Sequence, residues 1–114
     1  VDPTKEQWSA IADAVEANEL VPFFDVAYQG FASGSLEEDA YAPRLFESRG
    51  IEFFCAQSYS KNLGLYAERI GAINAVVNDK ETAEKTLSQV RVYLSLFAYC
   101  MGNWTDVVFF CVHR

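Results

Sequence analysis

Ile51-Glu52-Phe53-Phe54-Cys55-Ala56-Gln57-Ser58-Tyr59-Ser60-Lys61 opens as an apolar run and ends on a lysine with serines just before it. A short continuous apolar run of this kind reads as a buried strand, here over 51–57. Lys61 then stands at the C-terminal lip of that strand, facing a turn set by Gly64. Upstream, Leu20-Val21-Pro22-Phe23-Phe24 is a second short apolar run, with Pro22 tolerable near its start and Asp25 directly after it. Lys61 follows Asp25 by 36 positions, which fits strand, crossover helix, strand at about 30 residues or more. Strands joined in this way are parallel, and their C-terminal ends share one edge of the sheet, where open α/β sheets bind ligands. Asp25 and Lys61 therefore face a common crevice, and the fold class is α/β.

The segments around this pair complete the pattern. Residues 4–18 read as a helix, with Thr4 and Gln7 in capping-box positions and Trp8, Ile11, Ala12 and Val15 as one apolar stripe. Ser35 to Glu38 is a second capping box, opening a helix that closes near Gly50; Pro43 inside it forfeits a backbone bond, so a kink or early turn is expected at Asp39 to Ala42. Arg69 to Val77 alternates as a strand, and its short link from Gln57 calls for an antiparallel neighbour. Asn78 and Glu81 then cap a helix carrying Ala83, Leu87, Val90 and Leu94 at helical spacing. After Arg91 the chain becomes apolar all round, and Val107 to Val112 is another apolar run. Gly102, Asn103 and Asp106 interrupt the two, so neither supplies the ~20 residues of a membrane span.

A lysine at a strand lip is poorly solvated. Desolvation disfavours the ammonium and lowers the amine from its ordinary value of ~10.4, which makes it a nucleophile able to form a Schiff base. Ser58 and Ser60 before it, and Arg69 eight residues after it, suit a phosphate through hydroxyl and charge-assisted guanidinium hydrogen bonds. Together these features point to pyridoxal phosphate. Taken one at a time, the residues allow plainer readings: Lys61 as a surface lysine beside a turn, Asp25 as a solvated strand-end carboxylate or helix cap, Glu68-Arg69 as an exposed pair. Ser58-Tyr59-Ser60-Lys61 also satisfies Ser-x-x-Lys, the start of the penicillin-recognising hydrolases. No Ser-Asp-Asn or Lys-Thr-Gly element follows, Lys85-Thr86-Leu87 failing at the glycine, and those hydrolases place the motif at a helix start. His113, the only histidine, has no catalytic partner in sequence.

Ser58 to Gly71, the upstream stretch Pro22-Phe23-Phe24-Asp25-Val26-Ala27-Tyr28-Gln29-Gly30-Phe31-Ala32-Ser33-Gly34 and the opening Asp2-Pro3-Thr4-Lys5-Glu6-Gln7-Trp8 resemble the pyridoxal-phosphate aminotransferases of fold type I, and among them the aspartate enzymes. The resemblance implies a fragment of the large cofactor domain: a mainly parallel sheet with one antiparallel strand and flanking helices. It makes residues 1–91 the central part of that domain and 92–114 a divergent apolar tail. It implies that Lys61 holds the cofactor and moves the proton, that Asp25 pairs with the pyridine nitrogen, and that Tyr28 donates to the phenolic oxygen. Ser58 and Arg69 match the phosphate ligands; Ser60 is the weaker candidate because its side chain need not face the same way. The reaction implied is amino transfer between aspartate and 2-oxoglutarate, giving oxaloacetate and glutamate, in a homodimeric enzyme. For the 114 residues alone the expectation is no turnover, the alternative being a non-catalytic product that at most pairs with a full-length subunit.

The totals set bounds on these readings. A chain of 114 residues can form one domain burying about two thirds of its unfolded surface, but it is short for an enzyme with a large cofactor. A net charge of -7 without a Lys/Arg cluster argues against nucleic acid or an anionic membrane as partner. Cys55, Cys100 and Cys111 are odd in number and lack metal spacing, which favours buried thiols, no metal site and a reducing compartment, the cytoplasm, with an organellar form left open.

Overall fold

The computed structural model describes residues 2–67, 70–101 and 107–113. Helix α1 (Lys5–Ala17) starts as the sequence predicts. The Gln7 N–H donates to Thr4 Oγ1 at 3.3 Å and the Thr4 N–H to Gln7 Oε1 at 2.8 Å, so two backbone donors without helical partners are satisfied reciprocally. Ala12 is fully buried and Trp8 and Val15 pack on the core, but Ile11 is 38% exposed. The stripe is narrower than the sequence predicts.

Strand β1 (Phe23–Val26) begins later than expected. Leu20 and Val21 are exposed, and Pro22 enters the sheet only through its carbonyl, which accepts from the Phe54 N–H at 3.0 Å. Asp25 consequently lies inside the strand and not beyond its end. The next helix is broken in two, α2 (Leu36–Asp39), capped by Ser35, and α3 (Tyr41–Ser48). Pro43 has no N–H to return to the Asp39 carbonyl, so the chain interrupts at Ala40 and restarts with the proline in the first turn, where the missing donor costs least.

Strand β2 (Phe53–Ser58) pairs parallel to β1, Asp25 opposite Ala56 and Val26 opposite Gln57. It runs directly into a single turn, α4 (Tyr59–Asn62). Strand β3 (Gly71–Val77) lies antiparallel to β2, as the short link requires. Helix α5 (Lys80–Met101) follows. Its cap is Asp79, not Asn78: the Thr82 N–H donates to Asp79 Oδ1 at 2.8 Å. The Asn78 amide instead reaches the Gly50 carbonyl at 2.9 Å, tying the end of β3 to the end of α3. The apolar stretch after Arg91 continues α5, and the run at 107–112 becomes β4 (Val107–His113), parallel to β3. The sheet order is β1-β2-β3-β4.

Side chains alternate across a strand, so the two faces of the sheet are divided residue by residue. On one face Phe53 and Cys55 meet Ala12 of α1 and Phe46 of α3, with Phe24, Leu45 and Val76 packed around them. The aromatic rings there meet edge to face, Phe24 to Phe46 at 5.0 Å and Phe24 to Phe53 at 5.2 Å, the arrangement ring quadrupoles favour. Ala75 and Val77, the alternate residues of β3, are buried on the opposite side. Among the described residues no helix is long and apolar enough to cross a membrane.

Candidate cofactor site at the ends of the first two strands

Val26 and Ser58 end β1 and β2 on the same edge of the sheet, and the residues that follow them bring the candidate groups into one neighbourhood. After β1 the chain turns at Tyr28; after β2 it coils into α4, which carries Lys61. The Lys61 ammonium lies 5.3 Å from the centre of the Tyr28 ring and 5.6 Å from that of Tyr66, within cation–π range. Gly64 (φ +68°) ends this short turn, its N–H donating to the Lys61 carbonyl at 3.3 Å. Where β3 begins, the backbones are so close that a Cβ on Gly71 would meet the Gln57 carbonyl oxygen at 2.7 Å.

The environment of Lys61 corrects the expectation of a desolvated amine. The side chain is exposed, and hydrogen bonding to the Tyr28 side chain, then charge interaction with it, pushes its pKa above the usual value, outweighing burial, with a smaller rise from Tyr66. The ammonium is therefore the favoured form. A lysine whose pKa is raised by folding stabilises the fold fully below its unfolded value of ~10.4, and that contribution is lost as pH rises through the folded value. Tyr28→Phe, which keeps the ring and removes the hydroxyl, is expected to lower the Lys61 pKa and to increase the free-amine fraction at a given alkaline pH. A side-chain NMR titration of Lys61 checks this; an unchanged midpoint would remove Tyr28 as the cause.

Asp25 is exposed, and its carboxylate makes no hydrogen bond or ion pair among the described residues. It lines a cleft of about 820 Å³ together with Trp8, Tyr28 and Tyr41. Its charge reaches through the strand, since the Cys55 thiol is pushed up first by burial and then by Asp25. Lys61 is not among the residues lining that cleft, so the structure joins Tyr28 to each of the other two groups without closing all three around one cavity. Ser58 caps α4, its hydroxyl accepting from the Ser60 N–H at 3.4 Å. Ser60 itself is buried, 7% exposed. Arg69 lies outside the described residues. Since Ser58 is the N-cap of α4, Ser-x-x-Lys does stand at a helix start, and position alone no longer excludes the hydrolase reading.

Several groups at this edge escaped the sequence reading. Tyr66 is one. Another is a chain of amides: Asn74 Nδ2 donates to Gln57 Oε1 at 3.0 Å, Gln57 Nε2 to Gln29 Oε1 at 2.9 Å, and Gln29 Nε2 to the Leu36 carbonyl at 3.1 Å. The only signal for it was glutamine and asparagine at positions of β2 and β3 that alternate with apolar ones. Asn62 Oδ1 is buried without a hydrogen-bond partner among the described residues. No cluster of three metal-ligating side chains occurs among them either.

Comparison with known proteins supplies the family. The family model "Aminotransferase class I and II" matches residues 1–101. The chain is 64% identical over 91 residues to the chloroplastic aspartate aminotransferase of Arabidopsis thaliana, covering 80% of this chain and 20% of that protein. It is 54% identical over 92 residues to the cytoplasmic aspartate aminotransferase of Dictyostelium discoideum, covering 81% and 21%. The chain thus spans about a fifth of the length of these curated relatives. In three dimensions it is similar to an aromatic-amino-acid aminotransferase from Burkholderia pseudomallei covalently bound to pyridoxal phosphate, with a TM-score of 0.79 at 38% identity over 93% of this chain and 25% of that one.

Proposed function

The chain belongs to the class I and II aminotransferase family, and on that premise we propose that it forms the cofactor-holding part of an aspartate aminotransferase, exchanging an amino group between aspartate and 2-oxoglutarate. The observation that carries the reading is the meeting of Lys61 and Tyr28 at the sheet edge where β1 and β2 end. The substrates follow from the names of the similar proteins. Membership of this family also displaces the Ser-x-x-Lys hydrolase reading.

The donor set fits pyridoxal phosphate: an amine, a carboxylate, a phenol and a hydroxyl are distributed around one sheet edge. Bound there, the cofactor supplies an electron sink for negative charge developing at the substrate Cα. Lys61 Nζ would hold the cofactor and move the proton at the substrate Cα. The Asp25 carboxylate would pair with the ring nitrogen and favour its protonated form, because a nearby negative charge favours the cation. Tyr28 would donate from its hydroxyl to the phenolic oxygen. Ser58 and Arg69, with Ser60 as the weaker third, would hold the phosphate. Residues 1–91 are the central part of the large domain and 92–114 a tail divergent in sequence; the working enzyme is a homodimer. The buried free thiol of Cys55 supports a reducing compartment, taken here as the cytoplasm.

A second reading, a non-catalytic chain that at most pairs with a full-length subunit, is favoured by the exposure of Lys61 outside the cleft that Asp25 and Tyr28 line. One experiment tests the attachment on which the first reading depends. Pyridoxal phosphate is added to the chain, the adduct reduced with borohydride and the peptides mapped. The expected result is a phosphopyridoxyl group on Lys61 alone; label on Lys5, Lys80 or Lys85 without Lys61 would overturn the assignment.

A further inference from the structure

Between β1 and α2 the chain makes a loop whose backbone amides converge on one carboxylate. The Gly30 N–H donates to Asp39 Oδ2 at 2.7 Å, the Ala32 N–H to the same oxygen at 3.2 Å, and the Ser33 N–H to Asp39 Oδ1 at 3.1 Å. Three backbone donors on one acceptor pair form a concave cradle of the kind that binds anions, here filled by a side chain of the same chain. Both carboxylate oxygens are used, which fixes the orientation of the loop as well as its distance. The Asp39 backbone is itself held in α2, its N–H donating to the Ser35 carbonyl at 3.1 Å, so the loop is tied to a fixed element.

Tyr28 is the first residue of this loop's opening turn. The Phe31 N–H donates to the Tyr28 carbonyl at 3.0 Å, and the third residue of that turn, Gly30, has φ +90°, a conformation that glycine adopts without strain. The Phe31 ring meets the Tyr28 ring edge to face at 6.3 Å. The Tyr28 side chain is 56% exposed, so packing alone does little to hold it. Its place over Lys61 depends on the turn beneath it, and that turn is anchored at Gly30 by Asp39.

We propose that Asp39 is a positioning residue: by gathering the Gly30, Ala32 and Ser33 amides it holds the 28–33 loop in the one arrangement that sets Tyr28 against the Lys61 ammonium. The inference rests on the reading of Tyr28 and Lys61 as cofactor-site residues and adds to it the group that fixes their separation. Among the described residues no hydrogen bond or ion pair joins Asp39 to Lys61 or to the Tyr28 side chain; its carboxylate bonds to the loop backbone. Hydrogen bonding from the Ser33 side chain and from the three amides holds the Asp39 carboxyl below the usual carboxylate range, so the clamp stays charged through neutral pH.

The test uses the 114-residue chain without cofactor and follows the titration of Lys61, whose facing groups are the phenols of Tyr28 and Tyr66. Asp39→Ala and the near-isosteric Asp39→Asn are expected to lower the Lys61 midpoint in the same direction as Tyr28→Phe. Combining either with Tyr28→Phe is expected to give no further fall, because both act on one contact. Amide exchange at Gly30, Ala32 and Ser33 should quicken by about tenfold or more in Asp39→Ala, ~1.4 kcal/mol of local opening. Should Asp39→Ala fail to fold, Asp39→Asn carries the same measurement, and Asp39→Glu, which restores the charge, should recover part of the shift. A Lys61 midpoint unmoved by the Asp39 variants, or shifts that add to that of Tyr28→Phe, would overturn the proposal. None of these readings involves pyridoxal phosphate, so a failure of cofactor attachment at Lys61 would count against the functional reading and leave this result standing.

Discussion

Replacing Asp25 by alanine in a family enzyme that carries this stretch is expected to leave the cofactor attached and to slow proton transfer at the substrate Cα by about a thousandfold or more, ~4 kcal/mol of barrier. The argument is electronic. A protonated ring nitrogen accepts the electron pair released at Cα, and the proton stays there only while a negative charge lies beside it. Asp25 is suited to that role because no cation or hydrogen-bond donor among the described residues competes for it. Single-turnover kinetics with aspartate decide the matter. A loss of less than about tenfold, ~1.4 kcal/mol, would mean that Asp25 does not control the ring.

The second large effect is expected in the core. Phe46 is 1% exposed and lies between the edges of Trp8 at 6.5 Å and Phe24 at 5.0 Å, so its ring joins α1, α3 and the sheet. Phe46→Ala removes those contacts and leaves a cavity that rigid neighbours fill only in part, at ~3–5 kcal/mol. Against a typical total of ~5–15 kcal/mol this is a large share of the stability. Urea unfolding of the 114-residue chain measures it as a lower midpoint with an unchanged slope. Ile11→Ala is the control: Ile11 belongs to the same sequence stripe as Trp8, which packs on Phe46, but is 38% exposed, and its loss should cost much less. Equal effects at the two positions would show that α1 packs in another rotation.

The contrast between Ile11 and Ala12 also shows where a sequence stops being informative. Helical periodicity assigns a face to within a residue or so, and whether the margin of that face is covered depends on elements far away in the chain. The parallel pairing of β1 and β2 was legible because the separation of Asp25 and Lys61 leaves room for a crossover, and the break near Pro43 was legible because proline has a local mechanism. Asp79 and Asn78 are both good capping residues, so choosing between them needed the Asn78–Gly50 contact, which joins residues 28 apart in the chain. The charge state of Lys61 failed for the same reason. Local sequence placed it at a strand lip and implied desolvation, whereas Tyr28 and Tyr66, brought in by two different loops, favour its ammonium form. Asp39 was invisible as a clamp because three of its partners are backbone amides, which carry no residue signature.

The position of β1 gives Asp25 a consequence unrelated to catalysis. Among the described residues β1 is an edge of the sheet, and one side of its backbone is free to recruit another strand. Phe23 beside it is 64% exposed, the combination of open edge and apolar side chain that invites stacking into larger aggregates. Asp25 puts a negative charge in the interior of this four-residue strand, so two such edges approaching each other bring like charges together. A carboxylate inside an open edge strand opposes its pairing with a second such edge, and Asp25→Ala removes that charge.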